Sequence, residues 1–202
     1  NCYSTGFVTG NGSVGGLVGH NWEGSIGSSY STGGVDGGSH VGGLVGHNSY
    51  GSIVTSYSTG TVNGKRSTGG LVGETWRGNV THCYSTGAVT GTSQVGGLVG
   101  YNWSSVTHCY STGPVSGDDY RVGGLVGNNW DDVLACFWDT QTSGQTTSAG
   151  GIGKTTAEMQ TAKTFLAAGW NFVGETANGT EDIWWIDEGK DYPRLWWETS
   201  DL

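Results

Sequence analysis

The chain repeats itself every 27 residues, and that period eliminates most folds before any secondary structure is assigned. The phrase GGLVG recurs with its leucine at Leu17, Leu44, Leu71, Leu98 and Leu125, and a degenerate copy, AGGIGK, puts Ile152 another 27 residues on. The phrase YSTG keeps step with it: its aromatic stands at Tyr3, Tyr30, Tyr57, Tyr84, Tyr110 and Phe137, with steps of 27, 27, 27, 26 and 27. A third column holds Ile26, Ile53, Val80, Val106 and Val133. A unit this small cannot bury its own apolar face and must stack on copies of itself, as in a solenoid or a propeller. Propeller blades need ~40 residues or more, so one solenoid coil per repeat is the expectation.

Composition agrees. Among 202 residues there are 40 Gly, a density that destabilises regular helix, and they follow no Gly-X-Y triplet. Ten Trp and nine Tyr supply the apolar surface that a disordered Gly/Ser chain lacks. The expected fold is all-β: a parallel β-solenoid of about six 27-residue coils over residues 1–153, right-handed like other parallel crossovers, followed by a small α+β C-terminal cap over 154–202. Each coil reads as three β-prone pieces of the type C/S-Y-S-T-G-x-V, V-G-G-L-V-G-x-N and G-S-I/V. Alternation turns the small residue, Ser and Val of the first piece inward and its Tyr and Thr outward. In the second piece Leu and Val are adjacent, and Leu is placed inside. Asn21, Asn48, Asn102 and Asn129, with Thr75 in the third copy, read as an internal hydrogen-bonded ladder.

In the cap, a single helix is expected over 155–168, opened by a Thr155/Glu158 capping box, closed by Gly169 and striped by Met159, Ala162, Phe165 and Leu166. WNFVG, DIWWID and PRLWWE read as short Trp-rich extended segments, the whole unit covering the last coil. The first residues run straight into a full repeat, so an open N-terminal coil is expected, covered by upstream repeats or by another copy. Such a head-to-tail contact builds filaments when its rotation does not close.

Five GGLVG phrases with YSTG about a dozen residues before each, four of them followed by Asn, resemble the GLUG-motif repeats of large bacterial secreted and cell-surface proteins. CFWDTQTSG, GIGKTTAEMQTA and DYPRLWWE resemble the C-terminal part that often closes such arrays. The resemblance implies an exported, extracellular or cell-surface, adhesin-like protein and supplies no catalytic residue. Some relatives carry a zinc peptidase, but its H-E-x-x-H helix is absent here.

A formal charge of −9 with eight scattered Lys and Arg leaves no basic stripe for nucleic acid. No apolar run approaches the ~20 residues of a membrane helix, so membrane insertion is not expected. No enzyme and no cofactor are expected, because neither clustered Asp, Lys or Arg nor a phosphate-cradling loop is found. The candidate binding surface is an aromatic column, Trp22, Tyr50, Trp76, Trp103 and Trp130, suited to glycans or a host surface if exposed and to plain packing if covered. Cys83, Cys109 and Cys136 share a column with distant Cys2 and read either as one inter-coil disulfide or as a ladder of buried thiols, the more common case. His20 stacks with His47 and His82 with His108, but no column offers three good ligands, so no metal site is assigned. The outward Thr column has only one regular Thr per coil, too few for an ice-binding array. Sequons at Asn11, Asn79, Asn102 and Asn178 are unremarkable in so Asn/Ser/Thr-rich a chain.

Overall fold

The computed structural model describes residues 1–201, with side chains to Glu198; Leu202, the last residue of the expected cap, lies outside the described residues. The repeats wind into a parallel β-solenoid of about five full turns. Equivalent residues of successive coils pair directly, as in Tyr30↔Tyr57, Val35↔Val62, Val41↔Thr68 and Ile53↔Val80. Each sequence column is therefore a ladder parallel to the axis.

The ladders form four sheets rather than three, because two of the expected pieces split and the third, G-S-I/V, shares a sheet with the second half of V-G-G-L-V-G-x-N. C/S-Y-S-T-G-x-V bends at Thr-Gly into strands such as Tyr57–Ser58 and Val62–Asn63. V-G-G-L-V-G-x-N bends at Gly-Leu, between Arg66–Gly69 and Val72–Thr81. This second bend resolves the adjacent Leu and Val: both point inward, and Leu71 and Val72 are fully buried. The N–H groups of both donate to the single carbonyl of Leu98, at 2.9 and 3.0 Å, and the pattern recurs from coil to coil.

Leu44, Leu71, Leu98, Leu125, Ile53, Val80 and their neighbours make the main core, and a separate file of valines from Val14 to Val115 makes a smaller one. Between the two lobes the coil is pinched, with the YSTG serine against a glycine of GGLVG. A Cβ on Gly43 would sit 2.2 Å from Ser58 Oγ and 2.1 Å from the Gly70 carbonyl. Both small residues are required at this waist.

The corners use left-handed backbone at non-glycine residues. Three columns have positive φ: Ser28, Thr55, His82, His108 and Ala135; Glu23, Tyr50 and Arg77; Ser13, His40, Ser67 and Gln94. Each such residue costs roughly 1–2 kcal/mol. Corner N–H groups are bonded to the next coil, as from Thr55 to Thr81 and from Tyr50 to Trp76, which offsets that strain. The 26-residue step is a local deletion: the register slips between Trp76 and Asn79, and Ser104 Oγ takes the Gly78 N–H at 2.9 Å.

The sixth coil is truncated. Ile152 does not continue the leucine column; it pairs with Phe137 in the tyrosine sheet, and 152 − 137 = 15 residues replaces the usual 27. The segment between them seals the last full coil. Trp138 fills the serine position of the waist, and Ser148 Oγ accepts the N–H groups of Leu125 and Val126 at 3.2 and 2.9 Å, in place of the shared carbonyl of earlier coils. A short helix, Thr140–Ser143, is capped by buried Asp139.

The C-terminal segment therefore does not cover the coil end; it lies back along the side. The expected single helix is two, Thr156–Met159 and Ala162–Leu166. The Thr155/Glu158 capping box is present, but Thr161 is extended, and the hydroxyls of Thr161 and Thr164 take the carbonyls of Ala157 and Glu158 that a continuous helix needs. Of the Trp-rich segments, Trp184–Trp185 pairs antiparallel with Arg194–Leu195, and the chain ends in a 3₁₀ turn, Trp196–Asp201. Met159, Phe165, Trp170, Trp184 and Leu195 pack on the outward face of the tyrosine ladder. Tyr3 is 67% exposed, whereas Tyr110 under the cap is 1% exposed.

Candidate functional site

Strands such as Val18–Trp22 and Val99–Thr107 alternate, burying Asn21 or Asn102 and turning the residues on either side outward. Amides bridge coils within the buried ladder: Asn21 Nδ2 donates to Asn48 Oδ1 and Asn102 Nδ2 to Asn129 Oδ1, both at 2.7 Å. That ladder holds up the aromatic edge outside it.

The edge is solvent-exposed along its length. Trp22 and Trp130 are 58% and 63% exposed, and Tyr50, Trp76 and Trp103 each 39%. Tyr50 stands one residue past Ser49, which occupies the tryptophan register, and reaches the edge from a left-handed corner. Trp22, Tyr50 and Trp76 follow at 5.4 Å intervals tilted by 58°, so part of each face turns outward, with the Arg77 guanidinium over Tyr50 and Trp76. Trp103 and Trp130 stack nearly parallel at 5.1 Å, which leaves ring edges to solvent between them. The most accessible aromatic surface is therefore at the two terminal tryptophans.

Beside this edge runs a second outward column, His20, His47 and Glu74. His20 and His47 stack at 4.7 Å, and the Nε2 of each lies near Ser49 Oγ, at 3.2 and 3.0 Å. His40 arrives from another strand through its left-handed corner and places Nε2 2.9 Å from Glu74; His47 Nε2 is 4.0 Å from the same carboxylate. Burial holds the His47 imidazole below its ordinary value, against the pull of Glu74. Burial also pushes the Glu74 carboxyl up, but the hydrogen bond and charge of His40 outweigh it and hold it below the ordinary range. Sequence reasoning missed His40 and Glu74. Glu74 could have been found from its 27-residue phase with His47, but nothing local ties His40 to that column. His82 and His108 lie 5.1 Å apart against the cap. Among the described residues no three His, Cys, Asp or Glu are placed to hold a metal ion.

Cys83, Cys109 and Cys136 are buried free thiols in one file, and Cys2 is an exposed one. The Cys83 N–H donates to Cys109 Sγ at 3.4 Å, the Cys109 N–H to Cys136 Sγ at 3.3 Å, and each buried thiol bonds a carbonyl two residues before it. Burial pushes the Cys109 thiol well up, which makes it a poor nucleophile. Of the sequon asparagines, Asn102 is consumed by the internal ladder and the Asn178 amide by the Leu166 and Trp170 carbonyls.

A family model described as the GLUG motif matches residues 10–36, 37–63, 64–90 and 91–116, four consecutive windows that each span one turn of the solenoid. The chain belongs to the GLUG-motif family. The four GLUG windows begin at Gly10, Gly37, Gly64 and Gly91, at the C-terminal end of the valine strand. The fifth coil lies beyond the matched GLUG windows but continues the same ladders, with Val126 paired to Val99 and Val133 to Val106. No curated protein and no solved structure matches the chain. No described helix is long and apolar enough to cross a membrane.

Proposed function

We propose that this GLUG array is a non-catalytic structural and adhesive module of a secreted or cell-surface bacterial protein, a stiff rod that presents the aromatic edge to glycans. The observation that carries this reading is that the Trp22-to-Trp130 column alone among the long aromatic ladders stays uncovered from one end to the other, whereas the tyrosine ladder disappears under the cap. Exposed aromatic surface of that extent is characteristic of a contact surface. The location outside the cell rests on the family resemblance.

The test is a glycan array with the purified chain, followed by Trp22→Ala and Trp130→Ala. Binding that falls at least about tenfold in either variant, the loss of one aromatic contact, supports the reading. No bound glycan, or binding unchanged in both variants, counts against it.

A second reading is association of two copies through their first coils, since the segment after Phe137 closes the other end of the stack. Leu17, Val18 and Ile26 of the first coil border an opening of about 390 Å³ and continue the apolar file of the coils that follow. Light scattering over a concentration series tests it: growth of the species supports association, and a constant monomer mass rejects it.

A further inference from the structure

The cap leaves a groove where it lies along the solenoid. Thr32, Thr59 and Thr86 floor a cavity of about 280 Å³, and Asp191, Arg194 and Glu198 stand over it. We propose that this groove is a binding site for a neutral oligosaccharide laid along the solenoid axis. The site belongs to the tyrosine sheet and is separate from the aromatic edge, which another sheet carries.

The floor offers a repeating set of hydroxyls. Thr32 and Thr59 are exposed and Thr86 half-buried, and among the described residues no partner takes their side-chain hydroxyls. Parallel pairing of the adjacent Tyr-Ser strands spaces these threonines by about 4.8 Å, one per coil. A regular row of groups that both donate and accept suits a ligand with hydroxyls along its length.

The wall adds directional polar groups held in place. Glu198 accepts from the Tyr84 phenol at 2.8 Å and from the Leu195 N–H at 2.7 Å, leaving further lone pairs on each oxygen. Arg194 gives one N–H to Asp191 and keeps the rest of its donor fork. Carboxylate acceptors beside a guanidinium recognise vicinal hydroxyls and ring oxygens.

The same residues disfavour other ligands. Arg194 is balanced by Asp191, with Glu198 close by, so no net positive charge awaits a phosphate, sulfate or uronate. Tyr57, Tyr84, Tyr110 and Tyr192 add ring surface beside the threonine hydroxyls, a mixed lining whose polar groups a lipid chain or amphipathic helix would leave unsatisfied. The volume is near the ~300 Å³ lower end of small-molecule sites, room for a short stretch of sugar.

The experiment is titration calorimetry of the full chain with hexasaccharides of β-1,4-glucan, xylan, mannan, chitin and, as the charged counterpart, oligogalacturonate. At least one neutral oligomer is expected to bind, with Thr59→Val weakening it about 3- to 10-fold and Arg194→Ala more, while Trp22→Ala and Trp130→Ala leave it unchanged. Thr59→Val keeps shape at an exposed position, and an unchanged melting temperature establishes that the variant is folded. No neutral oligomer binding below about 10 mM overturns the proposal. So does binding that ignores both groove variants, or a preference for the uronate. Binding lost only in the tryptophan variants also overturns it while supporting the aromatic edge, so failure at one surface is separable from failure at the other.

Discussion

The phenol of Tyr84 donates to the carboxylate of Glu198 at 2.8 Å, a contact across 114 residues that fastens the end of the chain to the fourth coil. The Trp197 indole N–H, bonded to the Thr55 carbonyl at 3.1 Å, fastens it one coil further back. Burial pushes the Glu198 carboxyl above its ordinary range, against the Tyr84 hydrogen bond. An acid whose folded pKa is raised contributes stability that is complete below its ordinary value and is lost as pH rises through the folded one. Urea unfolding followed by near-UV circular dichroism should thus show the cap loosening as pH rises above the ordinary Glu range. Glu198→Gln should flatten that dependence, and Tyr84→Phe should cost about 1.5–3 kcal/mol.

The glycine of YSTG marks where coils approach most closely. A Cβ on Gly60 would sit 1.9 Å from the Gly33 carbonyl, whereas one on Gly6 meets nothing within 4 Å. Neither glycine has positive φ, so backbone conformation does not forbid alanine at either. Gly60→Ala should cost more than ~3 kcal/mol or prevent soluble expression, and Gly6→Ala should change stability by less than ~1 kcal/mol. Thermal melts of the pair check this directly. Equal tolerance would mean that the glycine is retained for flexibility rather than for coil spacing.

The columns were legible because stacking makes period and contact the same thing. Leu44 lies over Leu71 and Asn21 over Asn48 for no reason other than 27 residues of phase, so the core ladders, the amide ladder and the tryptophan column could be read from the sequence, though not that the column is exposed. The corners could not. Glycine and asparagine are the usual marks of left-handed backbone, and here His40, Tyr50, Arg77 and His82 adopt it, imposed by inter-coil hydrogen bonds that no local signal encodes. For the same reason His40 was not placed beside Glu74; Ile152 beside Phe137 was hidden by a different one. The AGGIGK phrase resembles the leucine motif, but pairing was decided by the 15-residue coil that Trp138 and Ser148 close. The side-lying cap was hidden because Met159, Phe165 and Trp170 fit the outer tyrosine face as well, by composition, as they fit a coil end.

The buried amide ladder has a weak rung at Thr75. Asn48 Nδ2 bonds the Gly51 carbonyl at 3.0 Å and Asn21 Nδ2 reaches Asn48 at 2.7 Å, but the next contact, Asn48 to Thr75 Oγ1, is stretched to 3.4 Å. Asn48→Ala strips a partner from Asn21 and from the Gly51 carbonyl and should cost about 2–4 kcal/mol, a penalty of roughly 1–2 for each stranded group. Thr75→Asn restores the column residue and should stabilise the chain by about 1 kcal/mol. Guanidinium unfolding of the two variants measures both. A destabilised Thr75→Asn would show that the third coil has no room for the amide.

Acid should act at the corner between the amide-bearing strands and the tyrosine strands, where His82 and His108 stand. Burial lowers the His82 pKa from 6.5 to about 4, with the charge of His108 acting in the same direction, and burial also lowers that of His108. A base whose folded pKa is depressed is stable as the neutral form, so its contribution is complete above the ordinary value of 6.5 and is lost as pH falls from there through about 4. Stability should therefore decline from pH 7 to pH 4, while the Glu198 contribution rises over the lower part of the same window. Both histidines sit at φ 52°, where asparagine is among the best-tolerated side chains, so His82→Asn with His108→Asn removes the titration without straining the corner. Unfolding midpoints of this double variant should fall less on acidification than those of the parent. Combined with Glu198→Gln, it should flatten the profile between pH 4 and 7, leaving the His40–His47–Glu74 cluster and the lowered carboxyls of Glu158 and Asp119 as contributors. An unchanged acid slope in the double variant would place the sensitivity in that cluster instead, where His47 shares the same direction of shift.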